Sequence, residues 1–192
     1  MSYLSSGVRH LARILTIAAG LGAGISLTAA VTSTVVHAEV KVGVSDWPGW
    51  VAWYIAEQKG YFKKHGADVK LVWFPNYTDS ISALSSGQLD ANSQTWSDSL
   101  GPMAKGIAIK TILVNDNSAG NDALMVNPKI KSFADLKGKK VALEQYSISH
   151  FVLVTALAKN GLKASDVQII NLAAADAAAA FMTGRGDAAV AC

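Results

Sequence analysis

Three short stretches of polar and aromatic residues are the places in this sequence where chemistry could occur: 45–50, 92–97 and 145–150. They read Ser-Asp-Trp-Pro-Gly-Trp, Asn-Ser-Gln-Thr-Trp-Ser and Gln-Tyr-Ser-Ile-Ser-His. Each follows a stretch typical of a β-strand and precedes one typical of a helix. In parallel α/β sheets, ligands bind beyond the carboxyl ends of the strands, where helix N-termini leave backbone N–H groups unpaired. One such stretch alone usually consists of helix caps, but three at equivalent strand ends favour a site for a small anion or polar ligand.

Three tryptophans lie close together in the first stretch and the residues just after it, and each could contact a ligand or pack in the core. Trp47 and Trp50 flank a Pro-Gly pair in a predicted loop, where core packing is harder to arrange, so we expect their rings to face a ligand. For Trp53 we expect core packing. His150 falls in the first turn of a predicted helix and could either contact a ligand or serve as a capping or surface residue.

No stretch has the pattern of a catalytic, metal or nucleotide site. The sequence contains no His-Glu-x-x-His, no Gly-x-Ser-x-Gly and no phosphate-binding loop, and its histidines and acidic residues are scattered. Cys192 is the one cysteine, so it can build neither a disulfide within the chain nor a cysteine-based metal site. We therefore predict no catalytic residue, no metal and no cofactor.

Composition and charge narrow the class of protein. The chain is 51% hydrophobic and 16% charged, which is typical of a folded protein rather than a disordered one. Lys and Arg number 17 against 14 acidic residues, and no basic cluster is long enough to follow a phosphate backbone. Nucleic acid is therefore not an expected partner.

The first 38 residues have the pattern of a secretory signal peptide. Arg9 and Arg13 form a basic start, residues 14–36 are uncharged, and the run ends Val-His-Ala, with small residues before a cleavage site. The uncharged run is also long enough for a transmembrane anchor, which is the alternative. Its glycines and threonines and the Val-x-Ala ending favour cleavage after Ala38, so we expect an exported protein that begins at Glu39.

Strand and helix patterns alternate beyond residue 38, which predicts an α/β fold with a largely parallel sheet. The predicted strands are 40–44, 68–74, 88–92, 109–114, 123–126, 140–144, 167–172 and 187–191. The predicted helices begin near Pro48, near Thr78 or Asp79, and at 98, 147 and 173. Ser132 to Asp135 has the pattern of a capping box. The Asn- and Asp-rich stretch 115–122 is the predicted boundary between two domains.

Two of these helices have spacings that predict an inward face. In the helix after Pro48 the predicted inward residues are Val51, Tyr54 and Ile55, and the helix is expected to stop at Gly60. In the helix that starts at residue 147 they are Phe151, Val154, Thr155 and Leu157.

The series of short motifs in residues 40–191 resembles the solute-binding proteins of ABC importers in the nitrate, sulfonate and taurine group. The order and spacing of the motifs carry the resemblance, since no single one is specific. They are Val40-Lys-Val-Gly, Ala56-Glu-Gln-Lys-Gly-Tyr-Phe-Lys-Lys-His-Gly66, Ala83-Leu-Ser-Ser-Gly-Gln-Leu-Asp90, Ile130-Lys-Ser-Phe-Ala-Asp-Leu-Lys-Gly-Lys-Lys-Val-Ala142, Gly161-Leu, Asp166-Val and Gly186-Asp-Ala188.

The resemblance implies a type II periplasmic-binding-protein fold, with two α/β lobes that close on a ligand cleft about a hinge. The lobes would be residues 39–118 and, with the hinge, 119–192. The implied activity is capture of a small polar or anionic solute (nitrate, sulfonate, taurine, bicarbonate or urea-like) in the periplasm, by a monomer that delivers it to a membrane permease and its ATPase. The ligand loops of the group correspond here to Trp47, Trp50, Gln94, Thr95, Trp96, Ser147, Ser149 and His150. Asn115, Asp116 and Asn117 lie at the crossover between the lobes, and we expect them to face the cleft, with Asn117 as a further ligand residue.

The resemblance also leads to an expectation about the length of the chain, and it leaves other functions open. Members of the group usually continue well beyond the position of Cys192, so we expect an incomplete second lobe and a chain that is a fragment. The alternative function is that of a thiamine-pyrimidine biosynthesis enzyme, which shares the fold; a secretory leader argues against it. A secreted α/β sensor domain is a third possibility.

Overall fold

The computed structural model describes residues 38–191, so the predicted signal peptide lies outside the described residues. The strands are β1 (Val40–Val44), β2 (Val69–Trp73), β3 (Ala91–Asn92), β4 (Ala123–Val126), β5 (Lys140–Leu143), β6 (Gln168–Asn171) and β7 (Ala188–Ala191). The helices are α1 (Val51–Gln58), α2 (Tyr61–Lys64), α3 (Tyr77–Ser85), α4 (Trp96–Ala104), α5 (Ile148–Lys159) and α6 (Ala174–Met182). Short 3₁₀ turns cover Pro48–Trp50, Phe133–Leu136 and Ala164–Asp166.

The first sheet has three parallel strands in the order β2-β1-β3. Val42 of β1 is paired with Leu71 of β2 and with Ala91 of β3. Val42 and Val44 are buried, and Gly43 between them faces Asn92 so closely that a Cβ at this position would collide with the amide oxygen. This close approach keeps β3 against β1, so the loops that follow the two strands emerge side by side.

The second sheet has four strands in the order β4-β7-β5-β6. β5, β6 and β7 are parallel, whereas β4 runs antiparallel to β7. We refer below to residues 38–106, which carry the first sheet, as the first half, and to residues 122–191, which carry the second, as the second half. Apart from β4, the parallel arrangement follows the predicted α/β alternation.

The core of the second half lies between its sheet and α5. Val141 and Leu143 of β5 and Leu153 and Leu157 of α5 have no exposed surface, and they pack in one cluster. The predicted inward position of Leu157 is confirmed, but that of Phe151 is wrong, because its side chain is 57% exposed. Leu153 and Leu157 are one helical turn apart, which places them together on the face of α5 that meets the sheet.

The helix after Pro48 also differs from its prediction. Pro48 begins a 3₁₀ turn, and α1 follows at Val51. Val51 and Ile55 were predicted to point inward, but both are exposed. The inward aromatic residue of α1 is Trp53, which stacks on Phe62 with ring centroids 6.2 Å apart. Aromatic pairing with α2 therefore decides which face of α1 is covered.

The predicted strand 109–114 does not form. Residues 107–118 have no regular secondary structure, and Ile112, Leu113 and Val114 are exposed. A strand requires a neighbour that pairs with its backbone N–H and C=O groups. Within residues 38–191 no strand is hydrogen-bonded to this segment, because β3 ends the first sheet on that side. A high β-propensity alone cannot supply the missing pairing.

The capping signals in the sequence predict the ends of two helical elements correctly. Ser132 and Asp135 form the predicted capping box at the start of the second 3₁₀ turn. Gly60, predicted to stop α1, has φ 68° in the left-handed region that glycine adopts without strain, and α1 ends two residues before it.

Candidate functional site

An open cleft of about 1060 Å³ includes the carboxyl ends of β1, β3 and β5, and it extends beside the first sheet as far as Val40 and Val69 and along residues 107–118. Eight of the nine predicted ligand residues line this cleft. They are Trp47, Trp50, Gln94, Thr95, Trp96, Asn117, Ser147 and Ser149. The three stretches that the sequence singled out therefore meet around one space, to which both halves contribute.

The ninth predicted residue, His150, is not among the lining residues. Its Nδ1 accepts a hydrogen bond from the backbone N–H of Tyr146 at 3.3 Å, and the Tyr146 ring stands edge-on to the imidazole. Tyr146 has φ 67°, an unusual backbone conformation for a residue with a side chain. His150 therefore contacts the loop before α5.

Trp47 is half-buried, and its indole is held by a residue far along the chain. Its Nε1–H donates to Asp116 Oδ2 at 2.8 Å. Gly49 lies directly under this pair, since a Cβ at that position would collide with both side chains. The Pro-Gly pair in the loop thus lets the Asp116 carboxylate reach the Trp47 ring.

Trp50 is only 8% exposed, which corrects the expectation that its loop position hinders packing. Its ring lies 5.9 Å from that of Tyr77, at an interplanar angle of 33°. The 3₁₀ turn Pro48–Trp50 rotates Trp50 inward onto the N-terminus of α3, while Trp47 stays at the mouth of the loop. Trp50 forms a wall of the cleft and part of the core at once.

The hydroxyl of Tyr77 connects the predicted ligand residue Thr95 to Asp98. The hydroxyl donates to Asp98 Oδ2 at 2.8 Å and accepts the backbone N–H of Thr95 at 2.9 Å. Burial and the nearby Asp98 carboxylate raise the pKa of Tyr77 far above its ordinary value. Tyr77 is therefore a neutral, fixed hydrogen-bonding group that positions the loop before α4.

Asp98 joins the two halves of the molecule. Its Oδ2 also accepts the backbone N–H of Ile148 at 3.1 Å, which is the first residue of α5. Burial raises the pKa of Asp98, and the hydrogen bonds from Tyr77, Ile148 and Ser97 offset only part of that effect. A carboxylate of the first half thus occupies the N-terminus of a helix in the second half.

Glu144 makes the reciprocal connection from the second half. It directly follows β5 and is 7% exposed. Its Oε1 accepts both the backbone N–H and the hydroxyl of Thr78, each at 2.8 Å, in the first turn of α3. Hydrogen bonds to a carboxylate at a helix N-terminus are favoured both by the ionic acceptor and by the helix dipole.

Gln94 is held by an amide network at the end of β3. Its Oε1 accepts from Asn92 Nδ2 at 2.8 Å, and its Nε2 donates to Ser99 Oγ at 2.8 Å. Asn92 Nδ2 also donates to Ser80 Oγ at 2.9 Å. These bonds connect β3 to α3 and α4, so the predicted residue Gln94 has a fixed orientation in the cleft wall.

Two serines of the cleft lining carry hydroxyls that make no hydrogen bond. Ser45 follows β1 and is 3% exposed, and Ser93 follows β3 and is 6% exposed. Buried hydroxyls are nearly always hydrogen-bonded, so two unpaired ones at neighbouring strand ends need an explanation.

The sequence missed Tyr77, Asp98 and Glu144 as residues of the site. Glu144 had a usable signal, since a carboxylate directly after the buried run Val141–Leu143 must find hydrogen bonds. Asp98 and Tyr77 had no comparable signal, because acidic and aromatic residues in a first helical turn are common caps and core residues.

Among the residues that the structure describes, no group of three or more His, Cys, Asp or Glu side chains could hold a metal ion. None of the helices between residues 38 and 191 combines the length and hydropathy that crossing a membrane requires.

Known proteins similar to this chain include several whose names refer to binding. A candidate binding protein of Brucella abortus (strain 2308) is 34% identical over 154 residues, which cover 78% of this chain and 46% of that protein. A candidate aliphatic sulfonates-binding protein of Escherichia coli (strain K12) is 33% identical, over 73% of this chain and 45% of its own length. The taurine-binding periplasmic protein of the same strain is 29% identical, over 67% and 40%. The chain spans about half the length of these curated relatives.

Solved structures agree with the predicted fold class. A protein of Bordetella bronchiseptica RB50 superposes with a TM-score of 0.69 at 31% identity, covering 79% of this chain and 50% of that one. The periplasmic aliphatic sulphonate binding protein SsuA of Escherichia coli gives a TM-score of 0.55 at 28% identity, covering 79% and 53%. The type II periplasmic-binding-protein fold is therefore confirmed, as is the resemblance to the nitrate, sulfonate and taurine group. A model described as NMT1/THI5 like matches residues 47–192, and the chain belongs to the NMT1/THI5-like family.

Proposed function

We propose that this chain is the solute-binding part of an ABC importer, which captures a small polar solute in the periplasm and delivers it to a membrane permease and its ATPase. The cleft carries the proposal, because residues from both halves line it and two carboxylates bridge the halves beside it. A space walled by two units can close on a solute and release it when they separate. The names of the sulfonate- and taurine-binding relatives support the same role.

The domain boundary near residue 118 belongs to this proposal. Lobes of 39–118 and 119–192 would each contain one of the two sheets. Trp47, Gln94, Trp96 and Ser147 would then contact the solute from opposite sides of the cleft. Export through a leader cleaved after Ala38, and action as a monomer, complete the proposal.

An enzyme of thiamine-pyrimidine biosynthesis remains the alternative. It is supported by a relative of Haemophilus influenzae named as a candidate thiamine biosynthesis protein, 29% identical over 136 residues. We favour the binding role, because binding proteins supply the names of the more similar relatives.

Tryptophan fluorescence tests the proposal directly, since Trp47, Trp50 and Trp96 line the cleft. The complete protein that contains this chain would be titrated with taurine, ethanesulfonate, nitrate, bicarbonate and urea. We expect saturable quenching by at least one solute, recovery of that solute unchanged, and loss of its uptake in cells that lack the protein. Chemical conversion of the solute, or uptake that is unaffected, would contradict the proposed role.

A further inference from the structure

The charges of the cleft are opposite to those that a simple anion requires. The lining includes five acidic residues, Asp46, Asp90, Asp116, Asp122 and Glu144. Lys110, on the segment 107–118, is the one basic side chain among the residues that line the cleft. Low-dielectric walls concentrate the field of such side chains, so a carboxylate-rich cleft attracts cations and repels anions.

Two of the helix N-termini beside the cleft, those of α3 and α5, are already occupied by carboxylates of the protein. Glu144 accepts the Thr78 N–H at the start of α3, and Asp98 accepts the Ile148 N–H at the start of α5. A sulfonate or nitrate placed at either helix N-terminus would have to displace a carboxylate or lie against it. Neighbouring like charges oppose such binding.

Aromatic rings accompany the carboxylates at the mouth of the cleft. Trp47 is hydrogen-bonded to Asp116, and Asp46 is its neighbour in the chain. Trp96, which is exposed, lines the same cleft. The face of an indole ring attracts an ammonium group, and more so where water is partly excluded.

Ser45 and Ser93 provide an independent indication that a ligand belongs here. Both are more than nine-tenths buried, line the cleft and have hydroxyls without a hydrogen-bond partner. They follow β1 and β3, which are adjacent strands of the first sheet. A hydroxyl can donate to a polar group of a solute or accept from it, so the serines suit a neutral or charged polar end.

We propose that the cleft selects a small solute with a positively charged amino group: Asp46, Asp116 and Trp47 receive the amino group, and the hydroxyls of Ser45 and Ser93 bond a second polar group. Amines and amino-zwitterions satisfy this description, whereas simple sulfonates, nitrate and bicarbonate do not. The inference rests on the proposed function and specifies its substrate class.

Probes with and without a positively charged nitrogen test this inference. The complete protein would be titrated calorimetrically with taurine against ethanesulfonate, and with ethanolamine and tetramethylammonium against nitrate. We expect at least one amine probe to bind tenfold or more tightly than every oxyanion, and its affinity to fall as ionic strength rises.

Substitutions of single residues test which carboxylates receive the amino group. Asp46→Asn and Asp116→Asn should each weaken binding of the amine probe at least threefold, and together at least tenfold. Asp68→Asn, an exposed acidic residue outside the cleft lining, is the matched control and should bind as the unmodified protein does. Ser45→Ala and Ser93→Ala should weaken taurine binding more than tetramethylammonium binding, because the latter has no second polar group.

The outcomes separate this inference from the proposed function. Ethanesulfonate or nitrate binding as tightly as the amines would overturn the inference and leave the importer role standing. A folded protein that binds no probe of either class would overturn the inference as well, and the uptake measurement would then decide the importer role alone. Equal loss of affinity in the Asp68 control would also overturn it.

Discussion

Trp47 and Trp50 are three residues apart, yet they have different surroundings and should respond differently to replacement by alanine. Trp47 is half-buried at the mouth of the cleft and held by Asp116. We expect Trp47→Ala to weaken solute binding about tenfold, or about 1.4 kcal/mol, with little change in stability. Calorimetry and thermal melts measure the two effects separately, and Trp73→Ala, an exposed tryptophan outside the cleft lining, is the control. Unchanged affinity in Trp47→Ala would remove the loop from the site.

Trp50 should behave as a core residue. It is buried against Tyr77, so Trp50→Ala leaves a cavity beside the N-terminus of α3. We expect the free energy of unfolding to fall by roughly 3–5 kcal/mol. Urea unfolding followed by circular dichroism measures this change. A loss below about 1 kcal/mol would mean that the ring is not packed as described.

Asp98 should give the stability of the protein an unusual pH dependence. Burial raises its pKa in the folded protein, so the folded state holds this proton more tightly than the unfolded chain. The contribution of Asp98 to the free energy of unfolding must then decrease as pH rises above the ordinary aspartate pKa of about 3.9, until the raised pKa is passed. Asp98→Asn keeps an acceptor for Tyr77 and Ile148 but abolishes this titration.

Asp135 provides a control of opposite sign. Hydrogen bonds from the backbone of Lys131 and from Ser132 lower its pKa, so its contribution is present above the ordinary aspartate pKa and is lost as pH falls. Unfolding curves collected from pH 3 to 7 should therefore show the gap between Asp98→Asn and the parent protein growing with pH in favour of the variant. The gap for Asp135→Asn should grow in favour of the parent. Equal slopes for the two variants would contradict the assignment.

At the scale of elements, seven of the eight predicted strands form, although their pairing partners lie far along the chain. The capping box at Ser132 and the end of α1 before Gly60 are local signals, and both are confirmed. The strand 109–114 fails, because pairing depends on a neighbour that the segment's own residues do not specify. The inward stripe of α1 fails for a similar reason, since Trp53 pairs with Phe62 of another helix.

The candidate site also has residues that the sequence predicts and contacts that it does not. Strand ends followed by helix starts identified seven lining residues, because parallel sheets place those loops together. The bridges made by Asp98 and Glu144 depend on how the two halves meet. No periodicity within either half encodes that contact.

The unpaired segment should determine how soluble the polypeptide 39–192 is. Ile112, Leu113 and Val114 form an exposed apolar run, with Ile112 79% exposed. Such runs promote association. We expect Ile112→Thr with Leu113→Gln to reduce aggregation, measured by light scattering, without lowering the melting temperature. Val141→Thr, in the buried strand β5, should lower the melting temperature instead. A melting temperature several degrees lower in the double variant would show that the segment is packed.

At the scale of the whole molecule, Glu144 and Asp98 act as a pair of reciprocal links. Each carboxylate comes from one half and receives a backbone N–H from the first turn of a helix in the other half. The links lie beside the cleft, so they hold its two walls together without any residue of segment 107–118. A solute that enters the cleft encounters walls whose separation depends on these two carboxylates.

Removing both links should therefore separate the halves without unfolding either. Hydrogen bonds to charged groups contribute about 1.5–3 kcal/mol each, so the variant with Glu144→Ala and Asp98→Ala loses a large part of what joins the walls. We expect a larger radius of gyration in small-angle X-ray scattering, with unchanged helix content in circular dichroism. The matched variant with Glu144→Gln and Asp98→Asn keeps a carbonyl acceptor at each position, so it should stay close to the parent protein. If the alanine variant were as compact as the parent, contacts other than these two carboxylates would have to hold the halves together.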